Sequence, residues 1–181
     1  MGAPSRTHRT TRTRTTPYGG TAAAGSRWAT ASTAAWRYAG GGFFDVNQDG
    51  NETDNRRAGW DGTSWQHFGQ GFGNGSPEAL AAIGDDIYVG GGFNNVAGIP
   101  DADEIARWDG TQWHALIEPS NPQDMDDDVN ALAVDADSTL LVGGDFEDFY
   151  GTDFLARWDP VAQDWDAITP GGMSPNGPIN A

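Results

Sequence analysis

The chain has 181 residues, a length that suits one ordinary folded domain. It contains no cysteine, so disulfide frameworks, thiolate zinc sites and cysteine nucleophiles are excluded. The formal net charge is -16, because 26 acidic residues stand against ten basic ones. A chain this acidic repels phosphate backbones and anionic lipid surfaces, so neither a nucleic acid nor a membrane surface is expected as a partner.

No run of 18 or more apolar residues occurs, so the sequence predicts no membrane span. The N-terminus also lacks the apolar core of a secretory signal peptide. The charge is distributed unevenly, since residues 1–37 hold six of the ten arginines and no acid, whereas residues 38–181 hold all 26 acids. The sequence therefore predicts two regions of different character.

Residues 1–37 contain no valine, isoleucine, leucine or phenylalanine with which to build an apolar face. A segment of this composition cannot supply a hydrophobic core, so we predict a disordered basic tail rich in Thr, Arg and Ala. The alternatives are a transit-like or linker segment and an artefact of the start site or reading frame. One observation supports the artefact alternative: the repeat described next begins at Tyr38 without its expected first strand.

One sequence unit recurs through residues 38–181. Its glycine motif reads YAGGGF at 38–43, YVGGGF at 88–93 and LVGGDF at 141–146, and a pair of tryptophans recurs in phase with it. Such a period is typical of stacked or radially repeated supersecondary units. We therefore divide this region into repeats at about 38–76, 77–128 and 129–175, with the start of a further repeat at 176–181.

Four short strands are predicted in each repeat, and the clearest example is 129–169. VNALAVD alternates with the two-residue period of a half-buried strand, which places Val129, Ala131 and Ala133 on one face. The second strand, TLLVGGDF, is an apolar run that ends in two glycines. Glycine lets the backbone bend or approach a neighbouring strand where a side chain would clash.

The third and fourth strands, FLARWD and DWDAIT in the third repeat, are predicted to form a hairpin. FLARWD alternates, which directs Trp158 away from the solvent-facing Arg157. In the second repeat the connecting loop begins Asp109-Gly110, and Asp-Gly supplies the positive-φ residue of a tight hairpin turn. WDGxxW is therefore predicted to be a hairpin with tryptophans flanking its turn, and Pro160 lengthens that turn in the third repeat.

The LxVGGxF...ARWDGxxW pattern with four strands per repeat resembles kelch-type β-propeller repeats, and more narrowly the galactose-oxidase-like repeats related to fungal cortical cell-polarity markers. This resemblance, over residues 38–181, implies an all-β fold: a partial β-propeller of about three four-stranded antiparallel blades in an open arc. Closed propellers hold four to eight blades, so further blades of a longer chain, or self-association, are expected to cover the open edges. A β-solenoid is the alternative.

The most specific chemical feature is DVNQDGNETD at 45–54. Asp45, Asn47 and Asp49 alternate before a glycine, as oxygen ligands do in the first half of a calcium-binding loop. The second half lacks the bidentate glutamate of such loops, and Asp54 is the nearest late acid. One hypothesis is a Ca²⁺ site formed by these four side chains. The other is an Asx-rich surface turn that binds no metal.

No catalytic residue is assigned. His8, His67 and His114 are the only histidines, and the latter two lie next to hairpin tryptophans, where we expect them to line a sheet surface. The copper site that a resemblance to galactose oxidase would imply does not carry over, because its cysteine is missing. The acidic run at 124–128 is expected to be a solvated loop. No spacing of carboxylates identifies a general acid and base, so the chain is predicted not to be an enzyme.

These features lead us to expect a non-catalytic scaffold that binds a protein or a carbohydrate, as part of a larger extracellular or cell-surface protein. The expectation rests on the resemblance, since a fold does not fix a function. One alternative is the propeller part of a hydrolase or oxidase whose catalytic residues lie outside this chain. Another is a purely structural spacer. An enzyme is expected to gather polar residues at the ring centre, whereas a binding protein presents its ligand site on loops.

Overall fold

The computed structural model describes residues 27–30, 37–40, 57–60, 64–66, 71–72, 75–116, 123, 125–168 and 175–180. Within these residues the fold is all-β, as the sequence predicts, with twelve strands in three antiparallel sheets and a single 3₁₀ turn at Val96–Gly98. Each sheet is an open meander, because its four strands are hydrogen-bonded in chain order.

The first sheet contains β1 (Arg27–Thr30), β2 (Arg37–Gly40), β3 (Arg57–Trp60) and β4 (Trp65–Gln66). The second contains β5 (Ser76–Ile83), β6 (Asp86–Gly92), β7 (Ile105–Trp108) and β8 (Trp113–Ala115). The third contains β9 (Val129–Val134), β10 (Leu140–Gly144), β11 (Leu155–Asp159) and β12 (Asp164–Ala167). Each sheet is therefore local in sequence, and the sheets follow one another along the chain.

The first sheet begins upstream of the predicted boundary at Tyr38. Strand β1 lies within residues 1–37, and it pairs with β2 so that Trp28 stands opposite Ala39. The prediction that the first repeat lacks its first strand is therefore wrong for these residues. Strand β1 has only four residues and lies among alanine, threonine and serine, so it is too short to show a two-residue period in the sequence. Apart from β1 and Arg37, the predicted tail lies outside the described residues.

The second sheet is buried on both faces, because successive residues of its strands point into two different apolar walls. The wall shared with the first sheet includes Tyr38, Leu80, Ile87, Val89, Ala106 and Trp113. The wall shared with the third sheet includes Ala81, Tyr88, Ile105, Leu140, Val142, Ala156, Trp158 and Trp165. A large apolar side chain contributes about 1.5–3 kcal/mol when fully buried, so these two walls supply most of the driving force for packing the sheets.

The glycines of the repeated motif let the sheets approach closely. In the first two sheets the first glycine of the motif faces a side chain from the first strand of the next sheet, and we call this position the glycine seat. A Cβ at Gly40 would lie 3.4 Å from Cβ of Pro77. A Cβ at Gly90 would lie 3.0 Å from Cβ of Val129 and closer still to its Cγ1. The predicted reason for glycine, a close approach by a neighbouring strand, is confirmed at both positions.

A β-bulge interrupts the first strands of the second and third sheets. The pairing of β9 with β10 shifts register at the glycine pair, and β5 with β6 does so at the equivalent place. Val129 therefore points toward Gly90 of the second sheet, whereas Ala131 lies on the opposite face beside Gly143. The prediction that Val129 shares a face with Ala131 and Ala133 is wrong, because the bulge adds one residue that simple alternation does not reveal.

The predicted tryptophan hairpin is confirmed in all three sheets. In each one the two tryptophans of the last hairpin are directly opposite one another, with tilted rings in nearly the same geometry. The pairs are Trp60–Trp65, Trp108–Trp113 and Trp158–Trp165, with ring centroids 5.3, 5.3 and 5.1 Å apart. Gly110 adopts the predicted positive φ, 95°. The hairpins thus repeat one packing unit.

Candidate functional site

The candidate site is the end of the sheets at which the second strand of each repeat runs into the third. The loops there belong to the second and third sheets, and we call this region the loop end. Both loops are closed by the same bond, in which an aspartate carboxylate accepts a backbone N–H. Asp103 accepts from Asn95, and Asp153 accepts from Asp148 at 2.8 Å. Short polar side chains that bond to nearby backbone stabilise such turns without regular secondary structure.

Backbone strain recurs at the same loop positions in both sheets. Non-glycine residues adopt left-handed φ values between 49° and 63° at Asn95, Ala97 and Glu104, and again at Asp148, Tyr150 and Phe154. Each such residue costs about 1–2 kcal/mol relative to ordinary backbone. Strain confined to one site would suggest a functional role. Since it occurs in both repeats, it belongs to the loop architecture.

The segment before the third sheet is bound to the third-sheet loop by side chains. The Asp126 carboxylate accepts from the Glu147 N–H at 3.0 Å, and the side-chain Oε1 of Gln123 accepts from the Tyr150 N–H at 2.9 Å. Asp127 is exposed, as expected for a solvated loop. Asp126 is exposed as well, and its carboxylate in addition holds the neighbouring loop in place. A run of acids gives no sequence signal that distinguishes these two roles.

Three carboxylates lie where the second and third sheets meet at the loop end, those of Glu78, Asp128 and Asp145. Burial, together with the charges of Asp128 and Asp145, raises the pKa of Glu78. Burial, together with Asp127 and Asp145, raises the pKa of Asp128. Within the described part of the chain, no group of three or more His, Asp or Glu side chains has an arrangement suited to a metal ion. Besides being partly buried, these carboxylates therefore repel one another where the two sheets meet.

The opposite end of the second sheet carries an aspartate that organises its hairpin turn. The Asp109 carboxylate accepts from the Thr111 and Gln112 N–H groups at 2.8 Å and from the Thr111 hydroxyl at 2.7 Å. Its other oxygen lies 2.6 Å from Nε2 of His114. The hydrogen bond with His114, followed by those from Thr111 and Gln112, lowers the pKa of Asp109. All these partners belong to one hairpin, so the histidine and aspartate stabilise a turn.

The same turn device recurs in the third sheet without the histidine. The Asp159 carboxylate accepts from the backbone N–H groups of Val161 and Ala162 at 2.8 and 3.0 Å. His114 is half-buried on its sheet, as the sequence predicts. Because the aspartate repeats and the histidine does not, the aspartate belongs to the structural unit. His114 is an addition to that unit in the second sheet, where it bonds to the turn aspartate.

The predicted calcium ligands Asp45, Asn47, Asp49 and Asp54 lie outside the described residues, and so do His8 and His67. The calcium hypothesis and its metal-free alternative both stay predictions. In sequence, the segment 45–54 follows the glycine motif of the first repeat, at the same place as the two aspartate-closed loops of the later repeats.

Comparison with known proteins adds no relative to these observations: no family model matches the chain, and no curated protein matches it either. Among the residues that the structure describes, no helix has the length and apolar character needed to cross a membrane. The candidate site therefore rests on the repeated geometry alone. That geometry provides a constant framework of sheets and two similar loops that differ in their tips.

Proposed function

We propose that the chain is a non-catalytic binding scaffold, an arc of propeller-type blades that carries a protein or carbohydrate ligand on its loop end. The three described sheets supply the blades, and the two shared apolar walls join them. The proposal extends to a larger secreted or cell-surface protein as the setting. The observation that carries it is the repetition of one packing unit with loops that differ at their tips.

The pattern of contacts between sheets favours a radial arc. Strand β5 packs against β1 and β2 of the first sheet, and β9 packs against β5 and β6 of the second. The backbones of neighbouring sheets thus come closest at the first two strands of each sheet, which we call the inner strands. Blades of a propeller are closest at their inner strands and diverge outward, whereas the sheets of a solenoid stay in contact along their full width.

The tryptophan pairs and the glycine seats repeat and are used for packing, whereas the loops of the second and third sheets differ in their tips. Tyr150 occupies the loop position that Ala97 holds in the second sheet, and both have left-handed backbone. The Tyr150 ring is half-buried and stacks on Trp165, with ring centroids 6.4 Å apart and planes 22° from parallel. An aromatic ring held rigidly beside a polar loop is suited to a sugar face or to an aliphatic or cationic side chain.

The negative charge of the loop end determines which kinds of partner it attracts. Asp126, Asp127, Glu147 and Asp148 are all exposed there. A surface with this sign attracts basic protein surfaces, tolerates neutral glycans and repels sulfated or phosphorylated ligands. The proposed ligand is therefore a basic protein patch or a neutral carbohydrate.

A glycan microarray probed with the labelled chain, together with titration by an arginine-rich peptide, tests the proposal. We expect saturable binding to a neutral glycan or to the peptide, and we expect Tyr150→Ala to remove it. The matched control is Val161→Ser, a change at the opposite end of the third sheet, which should leave binding intact. Binding that survives Tyr150→Ala, or a glycan that is consumed over time, contradicts the proposal.

A further inference from the structure

The third sheet has its own glycine seat, and a short segment of the chain occupies it. Gly143 holds the position that Gly40 and Gly90 hold in the preceding sheets. A Cβ at Gly143 would lie 2.7 Å from Cγ2 of Ile179 and 2.9 Å from its Cβ. The Ile179 N–H also donates to the Gly144 carbonyl at 3.2 Å. Ile179 therefore does at the third sheet what Val129 does at the second.

The rest of that face is only partly covered, and we call it the outer face of the third sheet. It comprises the residues that pair across the strands on the side of Gly143: Ala133, Leu141, Gly143, Leu155 and Arg157. Leu141 and Leu155 are only partly buried, and Ala133 is exposed. At the same register positions of the second sheet the side chains are covered by the third: Tyr88, Ile105 and Ala81 are 0, 4 and 6% exposed.

An arginine on the outer face does not prevent it from being covered. Arg157 forms an ion pair with Asp166 at 2.6 Å. In the second sheet the equivalent Arg107 stands opposite Tyr88 on the face that the third sheet covers, and it pairs with Asp86 at 2.7 Å. A long side chain can extend its charged end to the rim of a wall while its aliphatic part packs below. The outer face therefore has the composition of the walls already formed.

We infer that the outer face of the third sheet is a docking surface for another four-stranded unit of this same repeat. The unit enters through residues 175–180, with a β-branched side chain in the Gly143 seat. Its first two strands would cover Leu141 and Leu155 as β9 and β10 cover the second sheet. This inference concerns how sheets are added, and it does not depend on the ligand proposed above.

A second copy of the chain does not fit the outer face as well as another repeat does. In a head-to-tail dimer the first sheet of one copy would have to dock on the third sheet of the other. On the face of the first sheet that points away from the second, Ala39 and Ala58 are 3 and 0% exposed, so these two central side chains offer no surface to a partner. The seated Ile179 also leaves less room for a strand from another copy.

Thiol labelling of a lengthened chain tests the inference, and the lack of cysteine makes single-cysteine variants clean probes. Because INA at 179–181 corresponds to VNA at 129–131, residues 132–181 are appended after Ala181 to supply a fourth unit. In a Leu155→Cys background we expect labelling to slow by about tenfold or more in the lengthened chain. Val161→Cys, which lies in an exposed turn away from this face, should label equally fast in both chains.

The glycine seat supplies the decisive variant. In the lengthened chain, Gly143→Val should restore fast labelling of the Leu155→Cys probe. Ala162→Val, in the exposed turn at the opposite end of the third sheet, should not. Equal labelling rates in the two chains, or an appended unit that stays unfolded by circular dichroism, overturns the inference. Labelling of the original chain that slows with protein concentration, together with a dimer in sedimentation, would assign the face to a second copy and also overturn it.

Discussion

The glycine seat at Gly90 makes a quantitative prediction about the seam between the second and third sheets. Gly90→Ala places a methyl group 3.0 Å from Cβ of Val129 and closer to its Cγ1, so the two sheets must separate locally. Overpacking of this kind costs about 1–3 kcal/mol. Part of that cost is offset, because alanine has less backbone freedom than glycine in the unfolded chain. We expect a net loss of about 1–2 kcal/mol in the free energy of unfolding.

Val129→Ala acts on the same contact from the other side. Val129 is fully buried, and the substitution removes two methyl groups, which corresponds to about 1.6 kcal/mol of lost burial plus a cavity cost. In the double variant the new methyl group at residue 90 occupies part of the space that the valine leaves. The double variant should therefore be more stable than the sum of the single effects by about 1 kcal/mol.

Urea unfolding followed by tryptophan fluorescence and by circular dichroism measures all four chains of this cycle. The two signals must give the same transition for the free energies to be compared. Gly177→Ala is the matched control, since no atom lies within 4 Å of a Cβ built there, and it should change stability by less than about 0.5 kcal/mol. Single effects that add within about 0.3 kcal/mol would refute the seat, because residues in contact do not behave independently.

Four further predictions follow from the described contacts. Asp109→Asn should lower stability at pH 7. A carboxyl whose pKa is lower in the folded than in the unfolded state stabilises the fold fully above its unfolded pKa of about 4. The difference in the free energy of unfolding between wild type and variant should therefore shrink as the pH falls through the pKa of the folded state. A difference that stays constant with pH contradicts this prediction. Asp128→Asn should raise stability at pH 7 and lose that advantage toward pH 4, because burial and the charges of Asp127 and Asp145 raise the pKa of Asp128. Glu147→Gln is the charge-matched control. A loss of stability in Asp128→Asn at pH 7 would contradict this prediction. Trp165→Phe removes the donor to the buried Leu116 carbonyl at 2.9 Å and should cost about 1–3 kcal/mol in urea unfolding, whereas a neutral result would mean that this bond does not join the sheets. Calorimetric titration with Ca²⁺ should give heat that Asp49→Ala abolishes if the loop at 45–54 binds the metal, and no heat from the wild-type chain leaves the Asx-rich turn as the explanation.

The sequence predicts the hairpins and the glycine seats because both depend on local chemistry. WDGxxW fixes its own register through a turn that needs a positive φ at Gly110, so the tryptophans must stand opposite one another. A glycine in an apolar strand implies a close neighbour, and the repeat identifies which residues are equivalent. The hairpins and the glycines recur in every repeat, so comparing the repeats in the sequence is enough to find them.

Other features were missed because they depend on tertiary contacts or on single inserted residues. The bulge that separates Val129 from Ala131 changes the face of one side chain without changing the apolar pattern. Strand β1 is too short and too rich in small residues to show a period, and it forms because β2 is available to pair with it. The role of Asp126 in holding Glu147 depends on a loop from a different strand connection, which composition does not specify.

Each repeat forms its own sheet, and the sheets pack on one another through the glycine seats. Nuclear Overhauser spectroscopy of the labelled chain tests this most directly, at the contact between the Gly90 Hα protons and the Val129 methyl groups. We expect a strong cross-peak between them, since the two residues are in contact across the seam. If both residues are assigned and the cross-peak is absent, the sheets do not pack face to face in this register.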